Sequence, residues 1–238
     1  MPVSLVIRQD PGLVWHVGFP PEVWGWTDWK FAAEDGRFDG RWDDINGQYR
    51  TIYAGSSLYA CLVEVMAKYR PHQEAVDVLV TIETDPIEEV TFPTVWGRID
   101  RDFTRERLAG TGVLDGTYCL VTDSQTIATL RPRFLHQAHA LGAADFDAAV
   151  LKDSAPRELT RSVSRWLYQQ TDPSTGGDLV AGIQFHSRHG DDLRLWAVFE
   201  RPESGSISEH VHSPQQFTLT PDMPEITRAM QLHRLSWA

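Results

Sequence analysis

Hydrophobic positions in the first third of the chain recur with two different periods. Thr51-Ile52-Tyr53-Ala54 reads as a short strand. After it, Leu58, Cys61, Leu62, Val65, Met66 and Tyr69 return at three- and four-residue intervals, which predicts an amphipathic helix. Ser56 or Ser57 is its natural N-cap, and Arg70-Pro71 ends it. Val76, Val78, Val80 and Ile82 then alternate with Asp77, Leu79, Thr81 and Glu83, the period of a half-buried strand. Nearer the N-terminus, Val14–Phe19 reads as a strand leading into Pro20-Pro21. Trp24, Trp26 and Trp29 follow, a proline- and aromatic-rich stretch that predicts an ordered wrap over a core. Between these segments, GRFDGRWDDING (residues 36–47) is turn-rich, with Asn46-Gly47 the tightest candidate.

The second half is more mixed. Phe103–Leu108 suggests a short helix, Gly110, Gly112 and Gly116 suggest loops, and Thr117–Val121 a strand. Asp123 or Ser124 caps a helical pattern carrying Ile127, Leu130, Phe134, Leu135 and Ala138, with a kink expected at Pro132. Ala148–Leu151 is ambiguous. Ser154 and Pro156 mark the start of a helix bearing Leu159, Val163, Trp166 and Leu167. Residues 171–178 read as a loop. Gly182–Ser187 and Leu193–Glu200 form an expected hairpin across His189-Gly190-Asp191-Asp192. A polar connection over 202–214 precedes a strand at Phe217–Leu219 and a helix at Met223–Leu232. Strands and helices intermix without βαβ regularity, and no repeat or dividing linker is evident. The expectation is an α+β fold with a mixed or antiparallel β core flanked by helices, in a single domain over residues 1–238.

Composition narrows the class. With 42% apolar residues, nine Trp and ten Phe, the chain has too much buriable surface to be disordered. Lys and Arg number 22 against 33 Asp and Glu, a net charge of −11, which argues against a nucleic-acid-coating surface but leaves room for a local basic pocket. Cys61 and Cys119 lie in apolar stretches without a CxxC spacing, so both read as core hydrophobes, with neither a disulfide framework nor a zinc site. MPVSLVIRQDPG lacks the basic start and apolar run of a signal peptide. No stretch approaches the ~20 apolar residues of a membrane span. A cytoplasmic protein without membrane attachment is expected.

Several residues carry candidate chemistry. Glu64 shares its helix face with the small residues Ser57, Ala60 and Ala67, and a carboxylate there needs a partner or a task. The plain alternative is an i,i+4 pair with Lys68. Arg41 lies in a glycine- and aspartate-rich loop and presents the donor fork suited to phosphate or carboxylate. Its plain alternative is a surface pair with Asp39, Asp43 or Asp44, and Arg37 competes for the same role. Gly40 beside it would let the backbone approach a ligand closely. His186-x-x-His189 at a strand end and His136-x-x-His139 on a helix lack a third ligand or a metalloprotease glutamate, so no metal is expected. Ser187 has no G-x-S-x-G context.

In order along the chain stand Gly40-Arg41-Trp42-Asp43-Asp44, then Tyr53 ahead of the serine-started helix with Glu64, then Gly182–His189 followed by Leu195–Glu200. This ordered set resembles a RES domain, a family named for its Arg, Glu and Ser, over roughly residues 14–202, with 203–238 as a C-terminal extension. Leu130-Arg131-Pro132-Arg133 and Ala155–Arg157 through Tyr168 resemble longer members. The resemblance implies an NAD⁺-consuming toxin with an ADP-ribosyltransferase-like α+β fold, often encoded beside an antitoxin. By position, Arg41, Tyr53, Glu64 and Ser187 match the family's motif residues, and Arg37 does not.

NAD⁺ would be the substrate, with no metal. Its nicotinamide leaves as a neutral group and needs no proton donor, so one carboxylate suffices where ordinary glycoside hydrolysis uses two. Glu64 would stabilise the positive charge developing on the ribose. Arg41 would clamp the pyrophosphate, Tyr53 stack on nicotinamide or bond the ribose, and Ser187 anchor a ribose hydroxyl or the nicotinamide amide. Inorganic phosphate, water or a protein side chain are the possible acceptors. Phosphate needs a second anion site, for which Arg188, Arg37 or a nearby histidine is a candidate. Phosphorolysis or hydrolysis of NAD⁺ ranks above protein ADP-ribosylation. A catalytically weak NAD-binding or partner-binding module is the alternative, and pairing of Glu64 with Lys68 would mark it.

Overall fold

A computed structural model describes residues 4–71, 97–153, 155 and 157–238. The strand expected at Val76–Ile82 and the helix-starting Ser154 and Pro156 lie outside the described residues. The strands are β1 (Ile7–Gln9), β2 (Gly12–Gly18), β3 (Thr51–Gly55), β4 (Gly97–Ile99), β5 (Leu108–Leu114), β6 (Thr117–Leu120), β7 (Gly182–Ser187), β8 (Gly190–Phe199), β9 (Val211–Thr218) and β10 (Leu235–Trp237). The α-helices are α1 (Leu58–Met66), α2 (Asp102–Arg105), α3 (Ser124–Ala140), α4 (Ala148–Lys152), α5 (Arg157–Tyr168) and α6 (Pro224–His233). Among the described residues, eight strands form one sheet in the order β1-β6-β7-β8-β3-β2-β5-β9, and β10 pairs in parallel with β4. Every pairing in the large sheet is antiparallel except β6 with β7. The fold is therefore the expected α+β class with a mixed β core.

Both faces of the central strands are covered, and the two-residue period sorts their side chains between two cores. In β8, Leu195, Ala197 and Phe199 join the larger core, while Trp196 and Val198 join the smaller one. The larger core is closed by α1, α3, α5 and α6, through Leu62, Leu130, Leu159, Val163 and Ile226. The smaller is closed by the Pro-rich wrap, in which Trp24 is fully buried and Trp26 nearly so. Their indole N–H groups donate to the carbonyls of Thr111 at 3.1 Å and Gly205 at 3.1 Å, so neither is an orphan donor in the core. The tryptophans of this stretch pack as the sequence suggests. Trp29 stays partly exposed at 39%.

Helix α1 is capped as predicted: the Ser57 hydroxyl accepts from the Ala60 amide at 3.1 Å. The helix tightens into a 3₁₀ turn over Ala67–Tyr69 before Arg70 ends it. Asp123, through its carboxylate, caps α3, which continues through Pro132 to Ala140. Ala148–Lys152 resolves as a short helix capped by Asp147.

Three expectations change. Gly110 and Gly112 are interior residues of β5, not loop residues. A Cβ at Gly110 would stand 2.7 Å from the Trp24 Nε1 and 2.7 Å from the Val23 Cγ1, so the glycine makes room for the wrap. Gly116 is the residue that turns the chain, at φ +89°. The hairpin turn is shorter than expected, because β8 begins at Gly190 and leaves Arg188-His189 as the connection. Finally, Val211–Pro214, read as connection, already belongs to edge strand β9. At the C-terminus, Leu235 and Trp237 pack against the larger core, which the sequence left open.

Candidate active site

The sheet opens where β2 and β3 part. These strands share one ladder pair, Trp15 with Gly55, before separating. The His16 ring spans the gap, its Nδ1–H donating to the Tyr53 carbonyl at 2.6 Å. Burial pushes the His16 pKa down to about 4, outweighing the opposing pull of the Tyr53 and Val23 carbonyls. A cavity of about 390 Å³ lies at this split, between α1, the strand split and the loop that carries Arg41.

Helix α1 gives the cavity one wall. Cys61, Glu64, Val65 and Lys68 line it, the i, i+3, i+4, i+7 spacing of one helical face. Glu64 forms no ion pair with Lys68 among the described residues, and the Lys68 ammonium instead lies 5.1 Å from the Tyr69 ring centre. Glu64 is held from the sheet, because the Ser187 hydroxyl donates to its Oε1 at 2.5 Å. Ile183, Phe185 and Ser187 alternate onto one face of β7, and this row meets α1. Ser187 also accepts from the His189 amide at 2.9 Å and is only 1% exposed. It sits behind Glu64 and does not line the cavity.

The loop over residues 36–48 forms the opposite wall. Arg41 lines the cavity without an ion pair or hydrogen bond to any described residue. The aspartates that sequence offered as its partners are engaged elsewhere. Asp39 takes Arg157 at 2.8 Å and Arg161 at 3.3 Å. Asp44 takes Arg165 at 3.2 Å and the Gln48 amide at 2.7 Å. Asp43 accepts the Gly40 amide at 2.5 Å and the Tyr53 hydroxyl at 2.9 Å. Burial raises the Asp43 carboxyl, partly countered by these bonds, and pushes the Tyr53 hydroxyl well above its ordinary range. Burial also makes the Arg41 guanidinium less basic, although an arginine there stays charged. Arg37 is tied to Asp35 and is not among the lining residues.

Gly40 has a different role from the one its neighbourhood suggested. A side chain there would collide with the Tyr53 hydroxyl and the Asp43 carboxylate. Its bareness serves that internal cluster and not an approach to ligand. The Tyr53 hydroxyl also accepts from the Trp42 amide at 2.9 Å. Tyr53 also lines the cavity.

Four cations, Arg41, Lys68, Arg157 and Arg188, line the cavity against two carboxylates, Asp39 and Glu64. Asp39 is neutralised by Arg157, so Glu64 is the lining carboxylate free of ion pairing among the described residues. Beside Arg188 at the mouth, His189 lies 3.4 Å from the Arg70 guanidinium and 5.0 Å from the buried His233 ring. Burial, then Arg188, His233, Arg70 and Arg41, lower the His189 pKa to about 4. Sequence reasoning missed His16 and Arg157 as cavity residues. No local pattern marks either, since the strand split and the placing of α5 bring them there. Among the described residues, no group of three His, Cys, Asp or Glu side chains is placed to hold a metal ion. No described helix is long and apolar enough to cross a membrane.

A cleft at a sheet split, lined by a carboxylate and an arginine that form no ion pair among the described residues, is a site suited to a ligand carrying anionic groups. Residues 13–222 match the family model of the RES domain, and the chain belongs to the RES domain family. The match runs past the residue 202 that the motifs suggested. The crystal structure of the M. tuberculosis MbcT–MbcA toxin–antitoxin complex is similar at 15% identity, over 96% of this chain and 91% of that one, with a TM-score of 0.41. No curated protein matches the chain.

Proposed function

We propose that this protein cleaves the nicotinamide–ribose bond of NAD⁺ and passes the ADP-ribosyl group to phosphate or water, as the toxin of a toxin–antitoxin pair in the cytoplasm. The observation that carries this reading is Glu64, unpaired in a cation-lined cavity and oriented by Ser187. Membership of the RES family supports it. The Glu64–Lys68 pair that would mark a mere binding module is not formed.

In this reaction the C–N bond to nicotinamide breaks and its electron pair leaves with the neutral base. Glu64 stabilises the positive charge left on the ribose, and because its carboxylate is held before substrate arrives, little reorganisation is needed at the moment of reaction. Arg41 binds the pyrophosphate with its uncommitted fork. The Tyr53 ring offers a stacking surface, while its hydroxyl is occupied by Asp43 and Trp42. Ser187, whose proton is given to Glu64, acts through that carboxylate. Phosphate is the favoured acceptor, since Arg188 in the cavity lining, with Arg70 held 3.4 Å from the neutral His189 ring next to it, offers a second cationic locus. An antitoxin would inhibit by covering that mouth.

The test incubates the purified chain with NAD⁺, with and without phosphate, and identifies the ribose product by mass. ADP-ribose 1″-phosphate formed only with phosphate supports phosphorolysis, and ADP-ribose in both supports hydrolysis. Glu64→Gln is expected to lose ~10²–10³ in kcat, the cost of removing a comparable electrostatic group. An NAD⁺ pool left intact under both conditions would overturn the reading.

A further inference from the structure

We propose that Arg161 and Ser164 of α5 are positioning residues that aim Arg41, acting through the backbone of its loop and not on the ligand. This rests on the role given to Arg41 above. The Arg41 side chain makes no hydrogen bond or contact ion pair among the described residues, only the longer-range attraction of Glu64, so its anchoring comes from its backbone. Both peptide planes flanking it are pinned. The plane before it is held at the Gly40 carbonyl, which accepts from Arg161 Nε at 3.1 Å. The plane after it is held at the Trp42 amide, which donates to the Tyr53 hydroxyl at 2.9 Å. On either side, the Phe38 carbonyl accepts from Arg161 Nη2 at 2.8 Å, and the Trp42 carbonyl from Ser164 at 2.6 Å. Helix α5 thus grips the carbonyls of residues 38, 40 and 42, and Arg41 stands between the last two.

The nature of Arg161 supports this assignment. It is 9% exposed, yet its carboxylate partner Asp39 has a side chain 92% exposed and is shared with Arg157. A guanidinium buried against carbonyls carries a desolvation cost that an apolar residue at the same place would not. Two carbonyls two residues apart also need a planar fork. A lysine ammonium can follow the charge but cannot hold both directions.

The experiment combines a double-mutant cycle with amide exchange. Arg161→Lys and Ser164→Ala are each made in the native chain and in Arg41→Ala, and NAD⁺ consumption is measured as kcat/KM. In the native background a loss of ~10-fold or more is expected for Arg161→Lys, since small misplacements of a binding group cost up to ~10². In the Arg41→Ala background the further loss should be under about twofold, because the group being aimed is gone. A merely structural residue would cost the same factor in both backgrounds, and that outcome overturns the proposal. Hydrogen exchange over residues 38–44 should rise in both variants while β3 stays protected, and unchanged exchange also overturns it. Should Arg161→Lys fail to fold, Ser164→Ala carries the same comparison. A native chain that leaves NAD⁺ intact refutes the reaction, and the exchange measurement by itself then decides whether α5 holds the loop.

Discussion

Ser187→Ala separates a residue that touches substrate from one that aims a carboxylate. The substitution removes a hydroxyl lying 2.5 Å from Glu64 Oε1 and 2.9 Å from the His189 amide. The first is a charge-assisted bond, worth ~1.5–3 kcal/mol, and the second leaves a backbone donor unpaired at a cost of ~1–3 kcal/mol where no water reaches it. Ser187 is 1% exposed, so little solvent compensates for either. For a chain of this size each kcal/mol lowers Tm by ~2–4 °C, and a fall of several degrees is expected. Catalysis should lose a share of the first bond only, ~1.4 kcal/mol or about tenfold in kcat, as Glu64 samples orientations that miss the ribose. The loss should fall on kcat with KM for NAD⁺ little changed, because the hydroxyl lies behind the carboxylate. The assay follows nicotinamide release by chromatography, with thermal unfolding in parallel. A lowered Tm with native kcat would make Ser187 a purely structural residue. A large rise in KM would make it a substrate contact, and either result refutes the reasoning.

Gly40→Ala should cost more activity than its size suggests, by ~10-fold or more, because the new methyl displaces both Asp43 and the Tyr53 hydroxyl from the cluster that holds the Trp42 amide. Steady-state kinetics that match the native chain would show the loop tolerating a Cβ. Stability should also fall in mild acid. Both His16 and His189 are lowered from 6.5 to about 4, so between those values the unfolded chain binds more protons than the folded one. Their contribution is then fully present above pH 6.5 and is lost as pH falls towards 4, on the order of 3 kcal/mol for His16. Denaturation midpoints measured from pH 4 to 8 should rise through that window and level off above it. A flat profile would contradict partly buried, uncharged imidazoles at these two positions.

Much of the site was legible along the chain because local periods encode burial. Leu58 to Tyr69 at helical spacing placed Glu64 on α1, and short strand-like runs, the second ended by a turn-rich His189–Asp192, placed Tyr53 and Ser187 in strands. The ordered motif through Arg41, Tyr53, Glu64 and Ser187 pointed to one family, and the match over 13–222 shows that family. Gly110 and Gly112 misled because a glycine looks the same in a loop and in a strand that must pass close to an indole. What Trp24 does to β5 is a contact 87 residues distant in sequence.

The sequence by itself determined α1, α3, the β7–β8 hairpin and the residue types able to do this chemistry, since each depends on neighbours within a turn or a strand. Tertiary structure alone decided that Glu64 bonds Ser187 across 123 residues and leaves Lys68. It decided that Arg41 forms no ion pair among the described residues, because Arg157 and Arg161 take Asp39, Arg165 takes Asp44, and the Gly40 amide and Tyr53 hydroxyl take Asp43. It also decided that the sheet splits where His16 meets Tyr53. An ion pair is a competition among every charge within reach, and only the folded chain defines which charges those are.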